Sequence, residues 1–428
     1  MDVFERLESN VRSYCRSWPT VFTKGRGDHL YDEEGRQYID FFSGAGALNY
    51  GHNNPHLKRA LIQYLEDDGV VHGLDTATAA KQRFLERFEE VILKPRGMNY
   101  KMQFPGPTGT NAVEAALKLA RKVTGRHKVV GFTNAFHGMT LGSLAVTGNA
   151  MKREGAGIVL GMGMSMPYAG YLDRDGDTIA YLEKRLEDAG SGTDTPAAII
   201  VETIQAEGGM RMASSNWMRR LGQLCRDHGI VLIVDDIQVG CGRTGPFFSF
   251  EDVDLKPDII CLSKSISGFG LPMALLLLKP ELDVWEPGEH NGTFRGHNPA
   301  FVTATEALMF WKTDDLMKST HRKARVVNHT LTRIAARFPS AEMEHRGRGL
   351  IQGLMSPLPD LSSEVCTEAF HRGLIIETSG PGSEVVKLLP PLTIDDTALD
   401  QGLEIIEKSF EAAIGARKDI GALVVGKA

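Results

Sequence analysis

Three short segments of the chain combine residue types that could do chemistry together. In FPGPTGTNAVEAALKLARKVTG, 104–125, a Gly/Pro/Thr loop runs into a helical pattern with Val113, Ala116, Leu117 and Ala120 on one face. Gly109 and Thr110 then stand at a helix start, where backbone N–H groups lack acceptors and the macrodipole is positive. That setting suits an anion such as a phosphate. An ordinary N-cap made by Thr108 or Thr110 accounts for the same residues. In VLIVDDIQVGCGRTG, 231–245, an apolar strand ends in two carboxylates. Asp235 is placed to meet a ligand cation outside the carboxyl end of a sheet; an exposed acidic pair is the plainer reading. In DIICLSKSISGFGLP, 258–272, Lys264 stands just past a second apolar strand. Most lysines are solvated. One held at the mouth of a sheet is desolvated, its pKa falls, and it can condense with a carbonyl and carry a proton.

Taken together the three segments are more specific than any one alone. An anion hole, a carboxylate and an amine match the phosphate, the ring nitrogen and the aldehyde of pyridoxal 5'-phosphate (PLP). Gly240, Gly242 and Gly245 also satisfy G-x-G-x-x-G after a strand. DDIQV intervenes, however, and GPFFSF follows where a helix should receive a pyrophosphate, so a nicotinamide-dinucleotide site is rejected.

The elements that must position these residues alternate along the middle of the chain. KVVGF (128–132), AAIIVE (197–202), GIVLIVDD (229–236), DIICLS (258–263) and MALLLLK (273–279) are apolar throughout, as strands covered on both faces are. Between two of them, 217–229 reads as an amphipathic helix closed by Gly229. The expected fold is α/β, with a mostly parallel, doubly wound sheet in a large domain. HLYDEEGRQYIDFF, 29–42, reads as a hairpin turning at Asp32 to Gly35, and a long helix is expected from about Phe310. The expected division is a large ligand-binding domain at 56–312, with 1–55 and 313–428 contributing to a smaller α+β domain.

Bulk properties narrow the function classes. The 428 residues carry a net charge of -6, with 24% charged and 42% hydrophobic residues, and no basic block points to nucleic acid or an anionic membrane. The N-terminal stretch has no secretory pattern, and no apolar run approaches the roughly 20 residues of a membrane span. Cys15, Cys225, Cys241, Cys261 and Cys366 are scattered and contain no CxxC pair. A cytoplasmic chain without disulfides or a metal site is expected.

The sequence resembles the class III aminotransferases, which have the type I PLP fold. The resemblance runs from YDEEGRQYIDFFSGAGALNYGHNNP near the start to LLPPLTI near the end, and VDDIQVGCGRTG with PDIICLSKSISGFGLP is its most specific part. FPGPTGTNAVEAALKLARKVTGR, NAFHGMTLGSLAVTGN and ELDVWEPGEHNGTFRGHNPAFVTAT resemble one branch of that family. This branch moves the amino group of L-glutamate to L-aspartate 4-semialdehyde, giving L-2,4-diaminobutyrate and 2-oxoglutarate in the first committed step of ectoine synthesis. Other ω-aminotransferases, acting on 4-aminobutyrate, ornithine or acetylornithine, are the nearest alternative. A non-catalytic PLP-fold binder would not need the Asp235 and Lys264 pair.

The resemblance implies a role for each matching residue. Lys264 matches the lysine that carries the cofactor, and Asp235 the partner of the pyridine nitrogen. Ile237 and Phe136 match the residues on the two ring faces, with His137 beside Phe136. Gln238 matches a contact to the ring hydroxyl, Gly109 and Thr110 the phosphate loop, and Glu202 a support of the cofactor environment. Thr293 matches a phosphate ligand supplied by a neighbouring subunit, which implies a homodimer as the minimal unit. Glu207 matches an acid near the substrate carboxylate. One position departs from the family: Lys387 stands before L-x-P-P-L, where many members place an arginine for the α-carboxylate of glutamate. A lysine is a point charge rather than a rigid fork, and simple pairing with Glu207 is the other reading of Lys387.

Overall fold

The computed structural model describes residues 2–172 and 176–417. The end of the expected C-terminal segment, 418–428, lies outside the described residues.

A seven-stranded sheet forms the centre, because its apolar runs bury both faces. In spatial order the strands are Lys101–Gln103, Leu275–Leu278, Ile259–Leu262, Val231–Asp235, Ala198–Val201, Val129–Phe132 and Gly163–Met166. Val231–Asp235 is parallel to both of its neighbours, and Leu275–Leu278 pairs antiparallel with both of its own. Ile199, Ile200, Ile233, Ile260, Leu275 and Leu277 are fully enclosed. Helix Gly109–Thr124 covers one face with Val113, Ala116, Leu117 and Ala120, starts at Thr108 and ends on Gly125 with φ +68°. Helix Ser215–Asp227 covers the other, packing Met218, Leu221 and Cys225 into a separate cluster. It starts two residues before the expected Trp217 because Ser214 accepts from the Trp217 amide.

The chain ends build around this sheet. His29–Asp32 and Gln37–Asp40 form the expected hairpin, whose turn is held by Asp32 Oδ1 accepting from the Arg36 amide at 2.8 Å. Phe22–Arg26 extends it on one side, and Leu374–Ile375 adds a parallel strand on the other. A second four-stranded sheet joins Glu344–Arg348, Ile351–Met355, Val385–Leu388 and Glu377–Ser379. The long helix spans Asp315–Arg337, starting a few residues later than expected because a short 3-10 turn, Leu308–Trp311, precedes it. After Val231–Asp235 the glycine-rich loop passes through turns to a short 3-10 segment at Glu251–Val253, so no helix is present to receive a pyrophosphate.

Candidate active site

The carboxyl ends of adjacent parallel strands bring the sequence-predicted residues together. Asp235 ends its strand opposite Cys261 of the next, and Lys264 follows that next strand by two residues. Lys264 has φ +50°, a left-handed conformation uncommon for a side-chain-bearing residue, and Gly268 closes the short turn at φ +75°. One cavity of about 180 Å³ is lined by Lys264, Asp235, Glu202, Glu207, Ile237 and Gln238. Gly109, Thr110, Phe136 and His137 complete its wall, together with Gly138 and Val239, which the sequence did not single out.

The polar groups on this wall differ in how firmly they are held. His137 Nδ1 lies 2.7 Å from Asp235 Oδ2, and the Ile237 amide donates to Asp235 Oδ1 at 3.1 Å. His137 is itself tied down by its amide donating to Thr147 Oγ1 at 3.1 Å, while its Nε2 is buried without a partner among the described residues. Glu202, at the end of strand Ala198–Val201, accepts from the Phe136 amide at 3.0 Å. Burial, then Asp235, pushes its pKa well above the usual carboxylate range, against the pull of that amide. Lys264 has no hydrogen-bond or ion-pair partner among the described residues. Burial lowers its ammonium pKa to about 8; Glu207 opposes the shift and Lys387 adds to it.

Glu207 sits in the turn between Ile204–Gln205 and Arg211–Met212. It accepts from Gln238 Nε2 at 3.0 Å and from Lys387 Nζ at 2.6 Å. Burial works to raise its pKa, but Lys387, and after it Lys264, holds it down to about 2. Gln238 Nε2 also donates to the Ala45 carbonyl at 2.9 Å. That tethers Ser43–Gly46, where four consecutive residues have positive φ, to the cavity.

Two predicted residues lie off the cavity wall. Lys387 is fully enclosed behind Glu207, with a second carboxylate, Glu377, at 2.9 Å. Burial alone would lower the Lys387 pKa; the two carboxylates outweigh it and raise the value above the ordinary lysine range. Thr293, in the short 3-10 segment Thr293–Arg295, is exposed and does not line the cavity. Glu377 was missed by the sequence reading. Its signal is an acid inside the apolar run GLIIETS, placed directly opposite Lys387 across an antiparallel pair.

A desolvated amine, an oriented carboxylate and unpaired helix-start amides around one small cavity define an enzyme site for carbonyl–amine exchange. The chain belongs to the class III aminotransferases, whose family model matches residues 13–410. A diaminobutyrate–2-oxoglutarate transaminase of Halalkalibacterium halodurans is 57% identical over 98% of this chain and 98% of its own length. One of Nocardia farcinica is 60% identical over 96% of this chain and 94% of its own. Among solved structures, the ornithine aminotransferase from Toxoplasma gondii ME49 is similar with a TM-score of 0.84 and 26% identity, covering 97% of this chain and 95% of that one.

Proposed function

We propose that this chain is a PLP-dependent transaminase. It moves the amino group of L-glutamate to L-aspartate 4-semialdehyde and forms L-2,4-diaminobutyrate and 2-oxoglutarate, the entry step of ectoine synthesis. The observation that carries the reading is the unpartnered Lys264 amine sharing one cavity with an Asp235 carboxylate fixed by His137. The substrate assignment is supported by near-full-length identity of 57–60% to the transaminases named above.

The residues present fit the cofactor. The Gly109 and Thr110 amides have no acceptor among the described residues, and helix starts of this kind take phosphate. Gly109 lacks the side chain whose Cβ would lie 3.1 Å from Ile237, so the helix start and the ring-facing Ile237 can pack closely. Asp235 would pair with the ring nitrogen, Phe136 and Ile237 would take the two ring faces, and Gln238 would approach the ring hydroxyl. Glu202 would support this environment as a neutral acid. Thr293 of the partner subunit would add a phosphate contact, which fits its exposure in a single copy and makes a homodimer the working unit. When bound, PLP supplies an electron sink and a temporary carrier for the amino group.

Lys264 does the proton work. With a pKa near 8, a useful fraction of its amine is neutral at physiological pH. It takes the proton from Cα of glutamate and, in the second half-reaction, delivers one to C4 of the semialdehyde. Asp235, held by His137, keeps the opposite end of the site negative. Glu207 and Lys387 form the charged pair at the substrate end, where the carboxylates of both substrates must be sorted. The enzyme is assigned to the cytoplasm, a reading supported by five unpaired cysteines; among the described residues no helix is long and apolar enough to cross a membrane.

The test uses the visible absorption of the purified protein. Glutamate should abolish the band of the lysine-bound cofactor, and after its removal aspartate 4-semialdehyde should restore it while succinate semialdehyde does not. Restoration only by another aldehyde removes the substrate assignment. Absence of any band after added PLP, or normal turnover by Lys264→Ala, removes the mechanism.

A further inference from the structure

Under the phosphate end of the cavity lies a polar cluster that the proposed reaction does not use. Glu114 stands one turn beyond Thr110 on helix Gly109–Thr124. Its Oε1 accepts from the Thr140 hydroxyl and, at 3.0 Å, from the Ser143 amide. Thr140 Oγ1 lies 2.6 Å from Thr110 Oγ1, and Ser143 Oγ lies 2.9 Å from the same atom. Thr140 caps the short helix Leu141–Ala145, and Ser143 occupies its first turn. Glu114 therefore fastens a second helix start to the first.

The direction of these bonds follows from the groups. A carboxylate only accepts, so the single hydroxyl hydrogen of Thr140 is committed to Glu114. The 2.6 Å contact between the two threonines is then made with the hydrogen of Thr110. Ser143 Oγ is the other acceptor within reach of that hydrogen, and the Ser143 hydroxyl itself donates to the Thr110 carbonyl at 3.5 Å. The hydroxyl hydrogen of Thr110 is thus turned away from the cavity, which leaves the Gly109 and Thr110 amides as the donors this helix start offers an anion. The first turn of a helix frays when its end is not held, and these two amides lie in that turn. Glycines allow the close fit: a Cβ on Gly138 would lie 2.5 Å from Thr110 Oγ1, and one on Gly142 would lie 2.2 Å from Glu114 Oε2.

We infer that Glu114 is a positioning residue for the phosphate cradle, holding Thr140 and Ser143 against Thr110 so that the two helix-start amides stay fixed for the cofactor phosphate. The inference rests on the PLP reading above.

The test compares PLP with pyridoxal, which lacks the phosphate, on the full-length chain stripped of cofactor. Wild type should bind PLP far more tightly. Glu114→Ala should weaken PLP by about tenfold or more and change pyridoxal by less than about twofold. Glu114→Gln keeps an amide oxygen for both bonds and should stay within about threefold of wild type. Thr140→Val, which removes only the middle hydroxyl, should shift the PLP-to-pyridoxal ratio in the same direction as Glu114→Ala. An unchanged ratio in Glu114→Ala and Thr140→Val, or an equal loss for both ligands, overturns the inference. A wild-type chain that binds neither ligand overturns the PLP reading, and the inference with it.

Discussion

Replacing Lys387 by Met removes a fully buried ammonium held between two carboxylates, the half-buried Glu207 at 2.6 Å and the buried Glu377 at 2.9 Å. Breaking a buried ion pair from one side costs about 3–5 kcal/mol, because the partner charge stays buried without compensation. An independent route gives a similar size. Holding Glu207 at about 2 rather than its ordinary 4.5 is worth about 3 kcal/mol at neutral pH. The sign follows from the direction of the shift. A carboxylate depressed in the folded state adds its full stability above the unfolded pKa and loses it as pH falls through the folded one. The gap between wild type and Lys387→Met should therefore be complete at about pH 7 and narrow between about pH 4.5 and pH 2. Urea unfolding at fixed protein concentration, run at about pH 7 and about pH 3.5, measures it. Lys387→Arg keeps the charge and should lose less. A loss below about 1 kcal/mol at neutral pH, or a gap that does not change with pH, would refute the buried-pair reasoning.

Three further outcomes follow from the same geometry. Asp235→Asn should retain the cofactor, seen as its visible band, and lose about 10²-fold or more in turnover, because the fixed negative charge is gone; an unchanged rate takes Asp235 out of the mechanism. Capture of added PLP by cofactor-free enzyme should quicken with rising pH and level off above about 8, where the Lys264 amine becomes neutral; a rise continuing to the ordinary lysine pKa of 10.5 contradicts the desolvated amine. Glu202, raised by burial and Asp235, is mimicked by glutamine, so Glu202→Gln should change turnover by less than about threefold. A loss of orders of magnitude there would mean that the charged form is needed.

What the sequence revealed and what it hid have different physical causes. Lys264 and Asp235 were legible because each directly follows a run that only a doubly covered strand explains, and strand ends are where open sheets bind ligands. The bounds of helix Gly109–Thr124 were legible for a similar reason: Thr108 caps it and Gly125 ends it, as local chemistry dictates. Glu377 was not legible, since its meaning comes from the register that sets it opposite Lys387. The left-handed turn at Ser43–Gly46 was equally hidden. Ala45 holds φ +56° next to the bond from Gln238 to its carbonyl, a contact made across 193 residues. No local pattern encodes such a conformation.

The two glutamates on the cavity wall show why residue type alone could not assign them. Glu202 and Glu207 lie five positions apart on one segment, the first buried and the second half-buried, and both line the cavity. Their pKa values are nonetheless driven in opposite directions. Of the two, Lys387 bonds Glu207 alone, whereas Glu202 is buried beside Asp235, and the Phe136 amide and the Lys264 ammonium do not offset this. Environments that separate the pKa values of like groups are the mark of divided roles: one acid is kept neutral beside Asp235, the other charged beside Lys387. Glu377 restricts that second role further. It holds Lys387 from the adjacent strand of the same sheet, whereas Glu207 approaches from a turn of a different hairpin. The two carboxylates therefore hold the Lys387 ammonium from separate elements and engage two of its three N–H donors. Because lysine presents a point charge instead of a bidentate fork, it can serve both carboxylates at once, one N–H to each.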